Sequence, residues 1–122
     1  MANPYLFRSS LLCGLIVILV VLSIDSNTLI CFNAVHGVVS SVANHYSTND
    51  FCKNYDRLAM VAGFLINLYF IIMMGSIECG ALMLFAACLY FVAKKVNSNE
   101  LHATAHVSIS ACTILLLLEW SN

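Results

Sequence analysis

The chain has 122 residues, of which 61% are hydrophobic and 9% charged, and its formal net charge is −1. Soluble domains hold about 45–50% apolar and about 25% charged residues, and a chain this short buries the smallest share of its surface on folding. A water-soluble domain is therefore excluded, lipid is the expected solvent, and five Lys/Arg against six Asp/Glu leave no concentrated basic surface for nucleic acid.

Charge-free intervals mark the expected membrane spans, because a charge at the bilayer centre costs at least about 2.5 kcal/mol. The first interval follows Arg8, and a helix is predicted near residues 6–24. Arg8 before LLCGLIVILVVLSI also fits a signal sequence. Asp25, Ser26 and Asn27 follow with no small-x-small cleavage site, however, so a retained helix is expected. The next stretch, from Asp25 to Asp50, is also charge-free but holds Asn33, His36, Ser40, Ser41, Asn44 and His45. It reads as too polar to span, and as the one larger polar loop of the chain. Within it, Val35, Val38, Val39 and Val42 fit a short amphipathic helix on the bundle or membrane surface, with a strand left open by Gly37 and the valines.

Two more spans are predicted near 58–75 and 79–95. An unbroken helix over 58–93 would be about 54 Å long against a hydrocarbon core of about 30 Å, so GSIECG at 75–80 reads as a helix-to-helix turn. A last span is predicted near 102–119. The expected fold is all-α: a single transmembrane domain over 1–122, built as a polytopic four-helix bundle with one larger polar loop between helices 1 and 2. Three crossings with one re-entrant segment are the rival arrangement. The expected location is the plasma membrane or an endomembrane in preference to the mitochondrial inner membrane.

Sidedness is contested. With four crossings, Lys53, Arg57, Lys94 and Lys95 share one side and Arg8 stands alone on the other, so the positive-inside rule puts both termini outside the cytosol. Cys31 and Cys52 stand at the two ends of the polar loop. A disulfide there, the pairing expected, needs an oxidising compartment and would reverse that orientation.

His102 and His106 stand four apart, so both rings leave one helix face. A metal site needs three or four ligands with supporting partners. A haem would need axial ligands from two elements, such as His106 with His36 or His45. The Met residues with Cys79 form no short-spaced soft-metal cluster. No catalytic residue, metal or cofactor is expected. Asn67 lies near the middle of its span and is expected to face another helix, with Ser108, Ser110 and Thr113 as candidate partners. Gly63, four after Ala59, and Ser108, four before Cys112, are expected to allow close helix packing.

In the order of its features the chain resembles the claudin and peripheral myelin protein group. A short N-terminus precedes helix one, Cys31 and Cys52 flank a loop, and YDRLAMVAGFL places Arg57 at the loop boundary where that group has an Arg. The loop lacks the group's G-L-W signature, and its cysteine spacing is longer. The MARVEL-domain tetraspans share the four-helix plan equally. The resemblance implies cytosolic termini and a non-catalytic role in membrane organisation, adhesion or vesicle traffic, through contacts with the bilayer, other membrane proteins or a second copy. A small accessory subunit of a respiratory or channel assembly, with or without haem contact, is the alternative.

Overall fold

The computed structural model describes residues 2–121. They form five helices, α1 (Pro4–Ser23), α2 (Thr28–Tyr46), α3 (Asp50–Met74), α4 (Ile77–Val96) and α5 (Asn99–Glu119), with no strand among the described residues. Local chemistry sets the boundaries. Asn3, Asn27, Asn49, Ser76 and Ser98 each precede a helix and accept a hydrogen bond from its first-turn N–H groups, which satisfies donors that have no partner inside the helix. Gly75, at φ 68°, ends α3 in the left-handed conformation that its missing Cβ permits. The turn expected at 75–80 is thereby reduced to two residues. Glu78 falls in the first turn of α4, where the helix dipole favours an acid.

Four of the helices, α1, α3, α4 and α5, are long and apolar enough to cross a membrane. They match the four expected spans, except that α3 starts well before residue 58. Arg57 consequently lies two turns inside α3 and not at a loop boundary.

The larger polar loop is the main correction. Residues 28–46 form a continuous helix that packs against α1 on one side and α3 on the other. The segment's polar residues did not prevent a helix, because they are satisfied by neighbouring helices. The disulfide is corrected with it: all six cysteines are free. Cys31 is in the first turn of α2 and Cys52 in the first turn of α3, and these helices run antiparallel. Their ends are more than about 20 Å apart along the axis, whereas a disulfide needs Cα atoms about 4.4–6.8 Å apart.

The register follows from contacts at both ends. Beside the start of α1, the Ala2 and Asn3 N–H groups donate to Tyr46 O and His45 O at the end of α2, and Asn3 Nδ2 donates to Asn99 at the start of α5. At the opposite end, Ser26 Oγ donates to Leu117 O, and Ser76 Oγ donates to Glu119. Consecutive helices therefore alternate in direction. Val17, Ile30, Phe70, Cys79, Cys112, Leu116 and Leu117 form the core toward this second end, and the outer surface is studded with exposed Leu, Ile, Val and Phe.

Candidate metal centre

Three histidines meet near the end of the bundle that holds the start of α1. His102 and His106 leave one face of α5, as their spacing dictates, and His45 comes from the last turn of α2. The Asn3 N–H bond to the His45 carbonyl pins that turn against the start of α1. Ring centroids are 4.8 Å apart for His102 and His106, 5.3 Å for His45 and His102, and 5.2 Å for His45 and His106. One nitrogen from each ring lies within 4.8 Å of the others. His45 and His102 are buried and His106 half-buried.

Neighbouring groups orient the rings. The Ser9 hydroxyl of α1 lies 3.0 Å from His106 Nδ1, and Ser10 is 3.5 Å from the same atom while also bonding Ser41 of α2. When Nδ1–H donates to Ser9, Nε2 keeps its lone pair, the arrangement a metal-binding imidazole uses. Tyr90 of α4 meets the His102 ring edge-on at 5.2 Å, and Lys94 Nζ sits 5.5 Å from the Tyr90 ring centre. A small ion bound at about 2.0–2.1 Å from each nitrogen needs only a modest contraction of this cluster. A haem held between His106 and His45 does not fit, because axial histidines must face each other across a flat macrocycle and these rings already touch, and His36 is hydrogen-bonded to Tyr55 of α3 instead.

The cluster lines a cavity of about 850 Å³ walled by all five helices. Farther along it, Asp56 of α3 accepts from Ser40 Oγ at 3.2 Å and Asn44 Nδ2 at 2.8 Å. Deeper still, Asn33 Nδ2 donates to Asn67 Oδ1 at 3.0 Å and to Gly63 O at 3.3 Å. The cavity continues between α3 and α4, past Met60, Phe64, Ala87 and Phe91. There the wall is thin, because α3 packs mainly on α2 and α4 mainly on α5.

Asn67 is buried and does face another helix, but its partner is Asn33 of α2 and not a hydroxyl of α5. Gly63 sits directly against the Asn33 side chain. Ser108 is buried on α5, and its hydroxyl bonds Thr104 O of its own helix. Arg57 and Lys53 are exposed and line the cavity mouth, whereas Cys31 and Cys52 lie apart from the histidines. The sequence pointed to His102 and His106 and paired His106 with His45 only as haem ligands. The missing signal was α2 itself, since a loop gives no reason to place His45 beside α5. No protein-family model matches this chain, and no curated protein or solved structure is significantly similar to it.

Proposed function

We propose that this chain is an integral membrane protein that holds a divalent transition-metal ion, with zinc the best fit, through His45, His102 and His106. The observation behind this reading is the convergence of three ring nitrogens, from two helices far apart in sequence, in a cavity whose polar lining includes Ser10, Ser41, Asp56 and Lys94. Imidazole suits zinc, and three histidines leave a fourth coordination position for water or another ligand. Neutral imidazoles leave the ion its full charge. An anionic fourth ligand offsets the cost of holding that charge away from water, and the Lys53, Arg57 and Lys94 side chains around the cavity suit such an anion. Among the described residues the cluster includes no carboxylate, and the role proposed for the three histidines is binding.

Zinc alone is the probe. Detergent-purified chain, titrated against a chromophoric chelator, should bind one ion, and cobalt in its place should give the intense visible bands of a tetrahedral site. Each of His45→Ala, His102→Ala and His106→Ala should abolish stoichiometric binding. Absence of binding by folded wild-type protein, or binding indifferent to all three substitutions, would overturn the reading.

A second reading is favoured by the thin wall between α3 and α4. An apolar opening lined by Met60, Phe64 and Phe91 suits lateral contact with another membrane helix, as expected of a membrane-organising protein or an accessory subunit. Comigration with a larger assembly on a native gel, lost on Phe91→Ser, would support it.

A further inference from the structure

We infer that α2 crosses the membrane as a fifth span, so that the two termini lie on opposite sides with the N-terminus in the cytosol. Three independent features of the fold lead there. First, α2 is as long as a span: its 19 residues extend about 28 Å, against a hydrocarbon core of about 30 Å. It runs the height of α1, with Tyr46 against the residues before α1, Ser41 bonded to Ser10, and Val38 against Gly14. A helix lying on the membrane surface would cross α1 once and leave it.

Second, α2 is inside-out for a helix in water. Its exposed residues are Thr28 at the start, then Leu29, Phe32, Gly37, Val39 and Tyr46. Asn33, Ser40, Ser41 and Asn44 instead point at partners on α1 and α3, as the hydrogen bonds to Asn67, Asp56 and Ser10 require. Lipid demands this of any span, because backbone and polar side chains must be satisfied inside the bundle.

Third, an odd number of alternating helices brings every basic residue to one end. Arg8 on α1, Lys53 and Arg57 at the start of α3, and Lys94 and Lys95 at the end of α4 all lie beside the N-terminus. Among the described residues the opposite end carries Asp25, Glu78 and Glu119 and no base. The positive-inside rule then has all five Lys/Arg on one side, where the four-crossing arrangement divided them four to one. That face meets the anionic cytoplasmic leaflet, to which juxtamembrane basic residues are attracted. None of these features depends on metal at the histidines.

The test uses the full chain carrying a glycosylation-acceptor tag at either terminus, translated with sealed endoplasmic-reticulum microsomes. The C-terminal tag should acquire a glycosidase-sensitive mass shift, and the N-terminal tag should not. Modification of both tags or of neither means an even number of crossings and overturns the fifth span. Modification of the N-terminal tag alone overturns the orientation. Zinc binding by the same tagged proteins reports separately on the histidine site.

Discussion

At the scale of single residues, the polar side chains of the interior work in pairs across helices. Asn67 and Asn33 are one such pair, and because Asn33 also reaches Gly63 O, losing Asn67 does not strand it. Asn67→Leu should therefore lower stability by only about 1 kcal/mol, and a double-mutant cycle with Asn33→Leu should show a coupling of about 0.6 kcal/mol, typical of polar pairs in membranes. Reversible unfolding in mixed micelles measures both. Ser9 tests the positioning of His106. Loss of an outer partner of a metal-binding histidine costs about 10–100-fold in affinity, so Ser9→Ala should weaken zinc binding about 10-fold while leaving its stoichiometry at one. Binding should also weaken as pH falls, because protons compete for the same ring nitrogens. Affinity independent of both Ser9 and pH would show that the metal is held elsewhere.

At the scale of elements, the pairing of α1 with α2 decides the site, since it carries His45 to His106. Gly14 of α1 faces Val38 of α2. A Cβ placed there would run into the Val38 side chain, so the two helices pack over a bare glycine. Gly14→Leu should destabilise the bundle by about 1–3 kcal/mol, the usual cost of overpacking, and Val38→Ala should return part of it in thermal unfolding of the detergent-solubilised protein. The cysteines give a contrasting expectation. Because Cys31 and Cys52 sit at opposite ends of the bundle, wild-type protein, like a Cys31→Ser, Cys52→Ser double variant, should unfold at the same temperature with or without reductant. A melting point that falls on reduction of wild-type protein alone would mean that α2 and α3 are not arranged as described.

At the scale of the whole molecule, an apolar perimeter surrounds a polar seam that runs from the histidines through Asp56 to Asn33 and Asn67. Soluble proteins have the reverse distribution. Alkaline carbonate should leave the chain in the membrane pellet, because charge disruption does not extract apolar spans, and recovery in the supernatant would contradict the reading of the perimeter. The α3–α4 side is the weakest part of the bundle. The two helices share a turn of two residues, and Gly80 lies against Ile71 close to it, yet α3 leans on α2 for most of its packing.

The sequence alone determined that the chain belongs in lipid, that it is helical, and where four apolar helices lie, since these follow from local composition and from the exclusion of charge from hydrocarbon. It also revealed the turn at Gly75 and Ser76 and the shared face of His102 and His106, which are local properties of spacing. It suggested only a short amphipathic helix around Val35–Val42, on the bundle or membrane surface, and not α2 at its full length of 28–46. Averaged along the chain, Asn33, Ser40, Ser41, Asn44 and His45 look like the content of an aqueous loop, and only the tertiary structure shows that their partners lie on α1, α3 and α5. Hydropathy weighs each residue against water or lipid, whereas a polar residue inside a bundle meets neither. Once α2 stands among the other helices, the disulfide becomes geometrically impossible, the third histidine joins the pair on α5, and all five Lys/Arg come to one end, because each depends on which helices are neighbours and in which direction they run.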